Sequence, residues 1–443
     1  MKIQLSDHFT YKRLLCFVIS PILMIICSSL YRIVDGFFVS NFVGKTPFAA
    51  INLIMPVIMA ISTIGFMIGT GGSAVVSITL GEGKPELANK YFSLLIYVAM
   101  GVGLVLSLLG FIFIRPISIL MGADQALLND CILYGRILFI GQTAFILQNV
   151  FQSLLITAEK PTLSLKISVA AGVTNIVFDF LFIVVFHWGL AGAAIATVMG
   201  QFVGGIIPLI YFAKPNTSLL RLTKTAFYGK TLLQTCINGS SEMVTNLSVS
   251  IVSILFNFQL MRIAGENGVA AYGIIMYVNF IFMGVFMGYA LGSAPIISYH
   301  FGAENHAELK NLFRKSLILM CSFGVILTVL AELLAKPLVM IFASYDMELL
   351  TITRHGFMIY SLAFIVMGIN VWGSAFFTAL NNGVISATIS FLRTLAFQVI
   401  LIFALPVLWG IDGIWLSVVF AEVLSLVVTV IFFLTQKKKY QYI

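Results

Sequence analysis

Asn175 and Asp179 lie four residues apart inside an apolar stretch. On a helix that spacing puts both side chains on one face. Asp179 precedes His187 by eight residues and Thr197 follows Gly189 by eight, so each sits roughly 12 Å from the turn between them at about 1.5 Å per residue. A carboxylate, an amide oxygen and a hydroxyl at one depth can hold a proton or a small hard cation such as Na⁺. The structural alternative is a buried Asp that fixes helix packing. Asp35 has Arg32 three residues before it, near enough for a helical ion pair, so it reads either as a coupling carboxylate or as one half of that pair. Glu242 stands twelve residues after Lys230, about 18 Å into its helix, and either faces a cavity or packs against Ser240, Ser241 or Asn246. Arg393 has no partner nearby in sequence and either snorkels or lines a cavity, while Glu422 suggests packing.

These charges are rare because the chain is built for lipid. Its 443 residues are 60% hydrophobic and 9% charged, with mean hydropathy +1.06. A soluble domain carries roughly a quarter charged residues. No ten-residue alternating segments occur, so helices and not a barrel are expected to span the bilayer. The net charge of +8 reads as basic residues flanking membrane helices, and no nucleic-acid partner is expected. Five cysteines form no CxxC pair and read as small core residues. No GxxxxGK[ST], HExxH or GxSxG motif is present, so neither an enzyme nor a cofactor is expected. Uphill transport must then draw on an ion gradient, unless a partner subunit supplies the energy. The 39 Phe and 18 Met could line an adaptable pocket, although lipid-facing helices use the same residues.

Cutting at polar, Gly and Pro punctuation predicts twelve helices: near 14–40, 48–80, 91–114, 130–157, 162–186 and 189–213, then 231–262, 269–299, 313–335, 354–379, 384–408 and 411–435. The first is too long for a signal peptide and reads as a retained helix. Lys and Arg divide 17 to 6 between the two sides, with Arg32 and Arg393 inside helices, which predicts that both termini face the cytoplasm. Shifted by 221 positions, the second half falls on the first. Gly81 meets Gly302, Pro116 meets Pro337, Asn149-Val150 meet Asn370-Val371, and Trp188-Gly189 meet Trp409-Gly410. Each copy holds an even number of helices, so both copies enter the membrane alike. The expected fold is an all-α polytopic membrane protein of two parallel six-helix lobes, 1–213 and 231–443, joined by a cytoplasmic linker at 214–230. Two lobes that rock around a central cavity would follow.

The segment VDGFFVSNFVG ending the first helix, TAEKPTLSL after the fourth and NIVFD in the fifth resemble MATE (multidrug and toxic compound extrusion) transporters, over nearly the whole chain. The likeness is closest to bacterial branches that include DinF-like and Firmicute multidrug pumps. It implies a first-lobe cation site at Asp35, Asn175, Asp179 and Thr197, with the Ala193 carbonyl as a further ligand. Relatives also carry acidic residues in helices seven and ten. Glu242 matches the first, but Asn370 occupies the second position. The implied activity is secondary antiport, exporting small organic, often cationic, compounds in exchange for H⁺ or Na⁺. The alternative is a flippase for a lipid-linked or oligosaccharide precursor. A monomer in the bacterial cytoplasmic membrane is expected.

Overall fold

The computed structural model describes residues 3–343 and 346–443, without the side chains of Arg32, Ser40, Lys45, Ala126 and residues 341–343. Among the described residues the chain is helical and contains no strand. The first lobe holds α1 (Tyr11–Phe42), α2 (Lys45–Gly81), α3 (Pro85–Leu120), α4 (Gln125–Thr157), α5 (Pro161–Val185) and α6 (Gly189–Ala213). After it, Gly229–Gly302 runs unbroken in hydrogen bonding for 74 residues. That length would reach about 111 Å, against a hydrocarbon core of about 30 Å. Gly265 breaks it, with φ 62° and ψ −152°, a conformation that side chains resist. Gly410, at φ 57°, divides the last long stretch in the same way.

The second lobe therefore comprises α7 (229–264), α8 (266–302), α9 (His306–Ala343), α10 (347–379), α11 (383–409) and α12 (411–440). Helix α10 is bent by 53° where Met347–Ser361 meets Phe364–Ala379. Several helices outrun their apolar windows. Helix α3 begins at Pro85, whose fixed φ suits a first helical position, so its polar first turn is helical too. Polar caps set other starts: Asp124 accepts from the Leu127 amide and Asp346 from the Glu348 and Leu349 amides. Leu104, Leu108, Ile254 and Leu333 are exposed, as lipid-facing positions must be.

The repeat is visible in the backbone. Gly44 and Gly265 both take positive φ, as do Gly189 and Gly410, and each pair is 221 apart. The lobes also meet through the repeat. A Cβ on Gly81 would collide with the Tyr299 carbonyl oxygen, and one on Gly302 with the Ile78 carbonyl oxygen. Ile78 and Tyr299 are again 221 apart, so this is one contact made twice about a pseudo-twofold axis. Gly71 likewise abuts the Thr235 carbonyl of α7, and Gly288 abuts Ile22 of α1.

The same end of the molecule carries the chain start and the link between lobes. The Leu5 amide donates to Glu159 of the first lobe (2.8 Å) and the Phe9 amide to Glu308 of the second (2.9 Å). The Arg221 amide donates to Asn89 at the start of α3 (2.8 Å). The lobes are thus joined at this end.

Candidate functional site

Small residues on α6 bring it against α5. A Cβ on Gly200 would stand 2.9 Å from the Ala171 carbonyl oxygen and 3.2 Å from the Asn175 Cβ, so only a residue without a side chain permits this approach. Asp179 ends the α-helical part of α5, and the next turn, Phe180–Val185, is π-helical. Such turns re-aim side chains and are frequent at functional sites.

Asp35 of α1 reaches both Asp179 and Asn175 with its side chain. Asp179 is fully buried. Among the described residues no hydrogen-bond donor reaches either Asp179 oxygen, Asp35 Oδ1 or Asn175 Oδ1. Two carboxyl groups this close cannot both hold a charge unless something positive lies between them. The arrangement is one that can hold a proton or a small cation. The Arg32 side chain is outside the described residues, so its pairing with Asp35 remains a matter of sequence spacing.

Beside the carboxyl pair lies a cavity of about 570 Å³, lined by Tyr31, Asp35, Asn175, Thr197 and Gln201 among others. Thr197 Oγ1 donates to the Ala193 carbonyl (3.0 Å), leaving its own lone pairs for the cavity. The Ala193 carbonyl already accepts one hydrogen bond and is not part of the lining. Four of the five first-lobe residues singled out by the sequence thus gather at one place, with Ala193 one bond behind them. Two further residues were missed. Tyr134 of α4 is buried within electrostatic range of both carboxyl groups, and Gln201 presents an Oε1 with no partner among the described residues. Nothing in the spacing of α4 marks Tyr134. Gln201 stands 221 residues before Glu422, and nothing in that spacing marks its side chain as a cavity group.

The second lobe has no counterpart of this site. The positions 221 residues after Asp35, Asn175, Asp179, Ala193 and Thr197 are Phe256, Ala396, Ile400, Ile414 and Val418. Phe256 is buried and stacks on Tyr272 at 5.0 Å. The charges lie elsewhere and correct the sequence reading. Arg393 neither snorkels nor lines a described cavity. Its Nε donates to Glu422 Oε1 at 2.8 Å, with both side chains buried. Asn370 is no cavity ligand either: its Nδ2 donates to Glu422 Oε2 and to the Glu422 carbonyl, both at 2.8 Å, while Thr429 donates to its Oδ1. Glu422 thus forms an ion pair where packing was expected.

Removing one member of a buried pair strands the other charge, which costs about 3–5 kcal/mol, whereas replacing both can be neutral. Arg393→Met is accordingly expected to lower thermal stability in detergent sharply, and Arg393→Met combined with Glu422→Met to recover most of the loss. Equal melting points for the single and double variants would contradict this account.

Glu242 faces a second cavity of about 740 Å³ between the lobes, lined also by Phe66, Gln152, Met287 and Thr378. Asn246 donates to the Glu242 backbone carbonyl, Ser240 donates to that of Ile237 and Ser241 pairs with the Thr378 hydroxyl, so none of the three bonds to its carboxylate as one reading expected. Among the described residues no hydrogen bond to that carboxylate is found, and Arg393 lies within electrostatic range.

The MatE family model matches residues 21–181 and 242–404. The multidrug export protein MepA of Staphylococcus haemolyticus is 24% identical over 421 residues, covering 94% of this chain and 92% of its own. MepA of Staphylococcus aureus is 22% identical over 414 residues, covering 93% and 91%. Among solved structures, a multidrug resistance MATE transporter of the MOP superfamily in an outward-facing conformation superposes with a TM-score of 0.93 at 20% identity, covering 100% of this chain and 99% of its own. A MOP superfamily transporter from Pyrococcus furiosus, with a binding pocket of reversed polarity, gives 0.90 at 19% identity, covering 98% and 97%. These structures share the fold of two six-helix lobes.

Proposed function

The chain belongs to the MatE family, and from that premise we propose that it is a secondary active antiporter that exports small organic, often cationic, compounds in exchange for H⁺ or Na⁺. It acts as a monomer in a bacterial cytoplasmic membrane. The observation that carries this reading is the group of oxygens on Asp35, Asn175 and Asp179 that meet no donor among the described residues, beside an open cavity. A proton or Na⁺ entering there neutralises the carboxyl pair, and Thr197 supplies one more oxygen. If the two access states tolerate that neutralisation unequally, ion binding shifts the balance between them. The 17-to-6 division of basic residues supports placing the joined end, with both termini, in the cytoplasm, so that the state described faces outward. The multidrug export relatives support the export reading, and none of their names points to a lipid-linked cargo.

Coupling in this scheme belongs to the first lobe, while Glu242 supplies a single negative charge to an apolar chamber suited to an organic cation. Dye efflux from everted vesicles, with ΔpH and ΔNa⁺ imposed separately, tests the assignment. One gradient is expected to drive transport and the other to have little effect; transport that ignores both contradicts antiport. In the same assay Glu242→Gln should raise the KM for a cationic dye by about tenfold, the worth of one charge-assisted contact, while efflux still follows the gradient. A folded Glu242→Gln protein that ignores the gradient would move coupling to the second lobe.

A further inference from the structure

We propose that Gln201 is a specificity-determining residue, whose side-chain carbonyl receives a flat, hydrogen-bond-donating cationic head of the cargo, an amidinium or guanidinium, inside the first-lobe cavity. This rests on the export reading above and adds to it a recognition residue and a class of head group.

The first observation is local. Gln201 is only 7% exposed, lines the cavity, and its Oε1 meets no donor among the described residues. A buried amide oxygen left unpaired costs free energy that a ligand can recover. Asn175 Oδ1 and Asp35 Oδ1 are in the same condition, so the described polar wall of this cavity is rich in acceptors that lack donors. Tyr31, Met55, Met59 and Phe145 form its apolar wall, which suits the face of a planar cation.

The second observation comes from the repeat. Gln201 and Glu422 are 221 residues apart, in register with Gly192 and Gly413 on the same helices. At position 422 the acceptor is occupied by the Arg393 guanidinium at 2.8 Å. The first-lobe residue corresponding to Arg393 is Gly172, or Ala171 if the register is counted from the helix starts at 161 and 383. Neither reaches across, and Ala171 lines the cavity. The second lobe therefore holds, on its own chain, a guanidinium of the kind that no described side chain brings to Gln201 in the first lobe.

The change from carboxylate to amide fits the difference in role. A carboxylate and a guanidinium form a strong charge-assisted pair, suited to a permanent contact. A neutral amide binds the same N–H groups more weakly, so a cargo head can leave. A phosphonium offers no N–H, and Gln201 should not distinguish it from an apolar surface.

The test uses purified full-length protein and two monovalent aromatic cations, 4-phenylbenzamidinium and tetraphenylphosphonium, with equilibrium binding measured by calorimetry and no ion gradient. Gln201→Leu should weaken the amidinium about tenfold and leave the phosphonium within about twofold. Gln201→Glu should tighten the amidinium by a similar factor. The proposal is overturned if both cations weaken together, if the amidinium is unaffected in both variants, or if the wild-type protein does not bind it. Because no gradient is applied, loss of ion coupling would leave these results unchanged, and so cannot be mistaken for failure of the recognition residue.

Discussion

Asp179→Asn is expected to reduce gradient-driven efflux to vesicle background, a fall of about a hundredfold or more, while the protein still folds and inserts. An Asn has nearly the shape of an Asp and can make most of its hydrogen bonds, but it cannot exchange a proton or carry a charge. Among the described residues Asp179 has no donor to satisfy and no basic partner, so a fixed neutral side chain should be tolerated there. What disappears is the difference between an occupied and an empty site. A bias of two orders of magnitude between access states requires a comparable difference in ion affinity, and a residue that cannot titrate provides none. Asp35→Asn should have the same effect, because its side chain meets Asp179 directly. If Asp35 served chiefly to pair with Arg32, its Asn variant would instead lose stability. Everted vesicles report the coupling and thermal melting reports the fold. Wild-type efflux from a well-folded Asp179→Asn protein would remove this residue from the mechanism.

Much of this site could be read before the structure was known, because its parts lie on two adjacent helices and share one turn. Counting residues outward from Trp188-Gly189 put Asp179 and Thr197 at equal depth, and Asn175 and Thr197 do line one cavity. Helix-to-helix register across long separations was not readable in this way. Arg393 and Glu422 are 29 residues apart on α11 and α12, and nothing in the spacing states which faces of those helices meet. The π-helical turn after Asp179 was also unreadable, since it changes side-chain direction without a distinctive residue. Helix number was recoverable because the offset of 221 carries Gly44 onto Gly265 and Gly189 onto Gly410, where the backbone needs positive φ. Helix ends were read short, since a capped or proline-started polar turn stays helical outside the apolar window.

The same offset yields the second expected result: Gly81→Ala together with Gly302→Ala prevents closure of the joined end. Each new Cβ would strike a backbone carbonyl, that of Tyr299 or of Ile78, which cannot rotate away as a side chain could. The helices α2 and α8 must therefore separate. A gap of even 0.5–1 Å forfeits about a quarter to a half of the dispersion attraction at the contacts it opens. Because the pseudo-twofold axis makes the contact twice, each single variant should open the seam partway and the double variant should open it fully. Spin labels at Lys84 and Asn305, which are 221 apart on the two turns flanking the seam, report the separation directly. Their distance distribution should lengthen in the order wild type, single, double, and gradient-driven efflux should fall in the same order. Gly101→Ala serves as the control, since a Cβ there meets nothing within 4 Å. An unchanged distance in the double variant would show that the seam absorbs both methyls without opening, whereas a lengthened distance with normal efflux would show that α2 and α8 need not touch for transport, and the seam would then be a packing detail of one state instead of the gate between two.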